Sequence, residues 1–147
     1  MAGYWNRPDE TAKVMIGSDL LRTGDIGRID ERGLVFIEDR KKDMILVSGF
    51  NVYPNELEDV LATLPGVLQC AAIGVPDELR GEVLEAYVVT LPGTEADDEL
   101  AEELKQHVKK HYAAHAYPRA IHFVDELPKT PSGKVRRVEL RDRRRQQ

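Results

Sequence analysis

Apolar residues recur along this chain with two periods. Leu57, Val60, Leu61 and Leu64 stand at i, i+3, i+4 and i+7, the spacing that lines one face of an α-helix, so a helix is predicted over residues 55–64, stopped by Pro65-Gly66. A second stripe, Leu100, Leu104, Val108 and Tyr112, predicts another helix, with Thr94 as its N-cap and Pro118 beyond its end. Its acids come early and Lys105, Lys109 and Lys110 come late, the order that the helix dipole favours. Residues 67–75 and 83–91, rich in Val, Ile and Ala, read as strands separated by the polar turn 76–81, and 120–124 reads as a third. Upstream, residues 22–39 read as a hairpin, with Ile26 and Ile29 before the turn Asp30-Glu31-Arg32-Gly33 and Leu34-Val35-Phe36-Ile37 after it. Met44-Ile45-Leu46-Val47 is a further short strand, and residues 135–144 a last helix. Helices and strands in this mixed order predict an α+β fold: a small central sheet of about three strands flanked by helices, preceded by the hairpin strands.

Composition sharpens this picture. With 41% of 147 residues hydrophobic and 32% charged, the chain has enough apolar surface to build a core. No apolar run approaches the roughly 18 residues of a membrane span, so no transmembrane segment is expected. The first eight residues lack the basic-then-apolar order of a signal peptide. Cys70 stands alone, which excludes an internal disulfide and suits a reducing compartment. A cytoplasmic location, at most peripheral to a membrane, follows as the expectation. Arg40-Lys41-Lys42-Asp43 are all charged, which marks a solvated joint and a domain boundary.

The net charge of −5 is unevenly spread, because residues 129–147 carry eight Lys and Arg against two acids. That end reads as a solvated terminal helix in preference to a phosphate-seeking tail. With few aromatics and a negative balance, a nucleic-acid partner is not expected.

Candidate chemistry is sparse. His107, His111 and His115 recur every four residues, a spacing that a helix would convert into proximity, but no cysteine or carboxylate completes a ligand set, so no metal site is expected. Cys70, beside Ala71, Ala72 and Ile73, reads as a small buried hydrophobe. Pro131-Ser132-Gly133-Lys134 is not a Walker loop, since Pro128 stands where its first glycine is needed. What remains is a lysine on a Pro- and Gly-punctuated loop before a basic helix. It is either a mobile surface cation or a single charge delivered into a phosphate-containing site. Three glycine turns, at Gly24, Gly49 and Gly133, each set a polar or charged group beside flexible backbone.

Beyond these readings, the chain resembles the AMP-forming acyl-CoA synthetases, the superfamily that includes nonribosomal peptide adenylation domains and firefly luciferase. Gly3-Tyr4-Trp5-Asn6, Thr11 and Arg22-Thr23-Gly24-Asp25-Ile26-Gly27 resemble the end of the family's large N-terminal domain. Asp39-Arg40-Lys41-Lys42-Asp43-Met44-Ile45 through Ser48-Gly49-Phe50-Asn51-Val52-Tyr53-Pro54-Asn55-Glu56 resembles its hinge and the first loop of its small C-terminal domain. Leu127-Pro128-Lys129-Thr130 with Ser132-Gly133-Lys134 and Arg137 resembles its terminal lysine motif. The hinge wording is most similar to the medium- and long-chain fatty acid branch.

The resemblance implies two domain pieces: residues 1–39 as terminal strands of the N-terminal adenylate-forming domain, and 40–147 as the mobile C-terminal lid. It implies ATP-dependent adenylation of a fatty acid or other carboxylate, then thioester formation with coenzyme A. ATP, Mg2+ held mainly by the N-terminal domain, and coenzyme A are the implied cofactors, and the chain's own N-terminal domain the implied partner. Lys134 is implied as the catalytic residue, Asp25 and Arg40 as ribose-binding, Lys42 as the hinge, and Ser48, Gly49 and Phe50 as lining the coenzyme A path. The phosphate loop, adenine pocket and acyl tunnel of the family have no counterpart in these residues, so the chain on its own is expected to be inactive. An aminoacyl-adenylating domain serving a carrier protein is the alternative within the superfamily, and a non-catalytic interaction module the alternative outside it.

Overall fold

The computed structural model describes residues 1–146 and resolves two compact units, Met1–Lys42 and the remainder from Asp43 onward. The first begins with a short helix, α1 (Pro8–Val14), which has Pro8 in its first turn, where the missing N–H costs nothing. A two-residue ladder of β1 (Met15–Ile16) and β2 (Leu20–Leu21) follows. The predicted hairpin then forms as antiparallel β3 (Asp25–Ile29) and β4 (Val35–Arg40). Its turn is held by Asp30, whose Oδ1 accepts hydrogen bonds from the backbone N–H of Arg32 and of Leu34, both at 2.9 Å. The register slips at Ile26/Gly27, and a Cβ on Gly27 would stand 2.5 Å from the Phe36 carbonyl oxygen, so only glycine allows the strands this close. No apolar side chain in this unit is buried; Ile29, Val35 and Ile37 are about two-thirds exposed.

The second unit is a three-layer α/β/α arrangement. Its sheet comprises β5 (Ile45–Val47), β6 (Phe50–Val52), β7 (Val67–Asp77), β8 (Gly81–Thr90) and β9 (Ala120–Phe123). The order is β6-β5-β8-β7, and β9 runs parallel beside β8. Side chains alternate across the two long strands, so each face builds its own core. On one face Ala72, Leu84, Ala86 and Val88 pack with Leu57 and Leu61 of α2 (Pro54–Ala62) and with Leu100, Leu104 and Val108 of α3 (Asp98–His111). On the other, Ala71, Ile73, Tyr87 and Val89 pack with Leu127 and with Leu140 of α4 (Arg137–Arg145). Each fully buried Leu contributes about 1.5–3 kcal/mol of transfer free energy.

The α+β expectation and both apolar helical stripes hold, but the sheet has five strands where about three were expected: β8 pairs with β7, β9 and β5, the last matching the expected strand at 44–47, and β6 adds beyond β5. Three details differ. The N-cap of α3 is Asp97, whose Oδ1 accepts from the Leu100 N–H at 2.9 Å, whereas the Thr94 N–H closes a turn onto the Leu91 carbonyl. Helix α3 ends at His111, so His115 does not share its face with His107 and His111; its ring lies instead 4.5 Å from that of Phe50. The terminal helix is not a solvated charge run: Arg137, Arg141 and Arg144, at i, i+4 and i+7, turn inward onto carboxylates. No helix among the described residues is long and apolar enough to cross a membrane.

Candidate functional site

Each unit presents its share of the residues singled out above. In the first, Asp25 and Arg40 are cross-strand partners at the open end of the β3–β4 hairpin. Arg40 Nε lies 2.9 Å from Asp25 Oδ1; the arginine side chain is half exposed and the aspartate a quarter exposed. The pairing is anchored from behind by Asp39, which is buried and accepts the Arg40 backbone N–H at 2.7 Å. Lys42 is exposed in a turn, and the division between the two units falls directly after it. Its neighbour Asp43, expected in a solvated joint, is buried and faces Arg141 at 3.2 Å and Arg137 at 3.9 Å.

In the second unit, Ser48 and Gly49 form the two-residue turn between β5 and β6. Both have positive φ, 51° and 87°, the signature of a type I′ hairpin turn that matches the twist of the strands it joins. The Ser48 N–H donates to the Arg80 carbonyl at 2.9 Å, which ties this turn to the β7–β8 turn. Nothing stands within 4 Å of where a Cβ on Gly49 would lie, so a ligand could pass beside the backbone there. Phe50 is more than half exposed.

Lys134 sits on a loop closed at its base by a bridge between Lys129 and Val135. Within it, the Thr130 N–H donates to the Lys134 carbonyl at 2.8 Å, and Thr130 Oγ1 accepts the Lys134 N–H at 3.1 Å. Gly133 takes φ of 82°, which completes the turn. The backbone is therefore well tied, while the exposed ammonium has no hydrogen bond or ion pair among the described residues. A cation held this way is a free charge on a fixed mount.

The other ionisable features are structural. Burial pushes the Cys70 thiol up to about 12, and Glu58 and Asp59 add to it; the side chain is partly buried against the core, not fully enclosed as a buried hydrophobe would be, and its Sγ donates to the Glu58 carbonyl at 3.3 Å. Burial also raises Tyr112, joined by its hydrogen bond to Glu56 at 2.9 Å, to about 12. Glu85 is buried on β8. Desolvation raises its carboxyl, but hydrogen bonds from Arg144 Nε at 2.8 Å and from His122 Nε2 at 2.8 Å outweigh that and hold it below the usual range. No three His, Cys, Asp or Glu among the described residues converge as a metal cluster.

The comparison that decides the family is a match of residues 56–134 to the model for the AMP-binding enzyme C-terminal domain. The chain belongs to that family. The matched stretch of this AMP-binding C-terminal domain starts in α2 and ends on Lys134, and lies wholly within the second unit. A long-chain-fatty-acid–CoA ligase of Escherichia coli is 49% identical over 146 residues, 99% of this chain and 25% of that protein. A fatty acid–acyl-carrier-protein ligase of Streptomyces coeruleorubidus is 44% identical over 143 residues, 97% of this chain and 27% of its own. Among solved structures, ATP-bound MatB from Rhodopseudomonas palustris superposes with a TM-score of 0.86 at 38% identity, over 96% of this chain and 28% of that one. The chain thus spans about a quarter of the length of the curated relatives it matches.

Proposed function

We propose that this chain is the C-terminal part of an ATP-dependent, AMP-forming fatty acid–CoA ligase. In this reading residues 40–147 are the mobile lid, and residues 1–39 supply the last strands of the large adenylate-forming domain. The exposed apolar side chains of β3 and β4 support the second assignment, since a hairpin with no buried apolar residue is stable only against further structure. The observation that carries the functional reading is Lys134, an unpartnered cation on a rigid loop at the end of the family match.

With ATP and a carboxylate bound, the carboxylate attacks the α-phosphate and pyrophosphate leaves, giving the acyl-adenylate; the thiol of coenzyme A then attacks its acyl carbon and AMP leaves. In the first step Lys134 offsets the charge that accumulates as two anions approach, the kind of contribution whose loss costs about 3–4 kcal/mol. Asp25 accepts from the ribose hydroxyls and Arg40 donates to the same sugar, two roles already paired across the hairpin. Lys42 is the hinge: a charged, exposed residue that remains hydrated whichever way its backbone turns. Ser48, Gly49 and Phe50 border the pantetheine arm at the second step. The magnesium ion that accompanies ATP is left to the large domain.

The test is Lys134→Ala in the ligase that joins this chain to its large domain. Acyl-adenylate formation, read as ATP–pyrophosphate exchange, is expected to fall about a hundred- to thousandfold, while thioester formation from supplied acyl-adenylate persists. Equal loss of both half-reactions would make the lysine structural. The carrier-protein ligase among the relatives supports a second reading in which the acceptor is a carrier-borne thiol; dependence on free coenzyme A separates the two.

A further inference from the structure

Arg137 lies three residues beyond Lys134, at the start of α4, and its guanidinium engages three other side chains. Its Nε and Nη2 grip the Glu58 carboxylate of α2 at 2.8–3.2 Å. Nη2 also donates to Asn55 Oδ1 at 2.8 Å, and Nη1 is 3.9 Å from Asp43. Glu58 is in turn fixed by the Ala72 N–H of β7 at 2.7 Å. The side chains of Arg137, Glu58 and Asp43 are 13%, 15% and 12% exposed, so the cluster is largely withdrawn from water and its geometry is stiff. One residue earlier, the Arg136 N–H donates to the Pro128 carbonyl at 2.8 Å and shuts the base of the lysine loop.

We propose that Arg137 is a positioning residue for Lys134: its fork on Glu58, with Asn55 sharing Nη2 and Asp43 paired electrostatically with Nη1, locks the root of the lysine loop to α2 and to the segment that follows Lys42. The inference rests on the adenylation role proposed above for Lys134. A long lysine stem is flexible, so where its ammonium arrives depends on where its backbone is mounted, and a displacement of about 1 Å can cost a hundredfold in rate. The anchoring of Asp43 by Arg137 and Arg141 means that the same helix carries both the mount and the first residue beyond the proposed hinge. Lysine cannot reproduce the planar fork, so the position discriminates between charge and geometry.

The experiment compares Arg137→Gln, Arg137→Lys and the double variant Arg137→Gln/Glu58→Gln with Lys134→Ala, all in the whole ligase, reading both half-reactions and the thermal midpoint. Arg137→Gln strands a buried carboxylate and should lower the midpoint; the double variant removes that charge and should restore much of it. The proposal requires that adenylation kcat stay at least tenfold down in all three Arg137 variants, with KM for ATP and the thioester half-reaction within about twofold of the parent. Recovery of adenylation together with the midpoint in the double variant, or parallel loss of both half-reactions, overturns it and makes Arg137 a stability residue. If instead Lys134→Ala leaves adenylation intact, the parent reading fails, and the proposal with it.

Discussion

The two units of this chain, with a similar fraction of apolar residues, put them to opposite effect. In the unit from Asp43 onward, Ile, Leu and Val alternate along β7 and β8 and meet helices on both faces, so the domain is closed by its own residues. In Met1–Lys42, Val35-Phe36-Ile37 and Ile29 lie on a hairpin that nothing in the unit covers. Local hydrogen bonds suffice to shape such a hairpin, but an isolated pair of strands is marginal in water. A sequence can therefore specify an element completely and leave its stability to be supplied elsewhere.

Several substitutions would break or sharpen that contrast. The largest effect belongs to the double core: Leu104→Ala, at a fully buried position on α3, is expected to cost about 2–5 kcal/mol in urea unfolding of the chain. Next comes acid. Because the folded state holds the Glu85 carboxyl below its ordinary value, its contribution is present above that value and fades as the pH falls through the depressed one. The unfolding midpoint should therefore drop below about pH 4.5 more steeply in the parent chain than in Glu85→Gln. The smallest effect is expected at Ile37→Ala in this chain alone, within about 0.5 kcal/mol, because that side chain is already two-thirds in water. A cost above about 1 kcal/mol once the large domain is joined would identify the hairpin's missing cover.

Most of the fold was legible because its signals are local. The i, i+3, i+4, i+7 stripe of α2, the Asp30 turn and the alternating strands all lie within windows of about ten residues. The α3 cap is ambiguous in sequence because Thr94 and Asp97 are both capping residues, and only the structure shows which one reaches an orphan N–H. Strand β6 escaped because Phe50-Asn51-Val52 is too short to show a period, although the Ser48-Gly49 pair before it is a hairpin signal. The inward-facing arginines of α4 were hidden for a different reason. Their partners Asp43, Glu58 and Glu85 are between 59 and 98 residues away, and charge counting does not see that distance. Leu140, placed between Arg137 and Arg144 on the same face, was the one hint that this face is covered.

The most direct test of the contrast is amide hydrogen exchange on this chain alone and again when joined to the large domain proposed above. The account requires that β7 and β8 exchange only through global unfolding in both cases, and that β3 and β4 exchange at least a hundredfold faster in the chain alone but gain protection when joined. Equal protection of β3–β4 and β7–β8 in the isolated chain would contradict it, because the hairpin would then be stable without any cover.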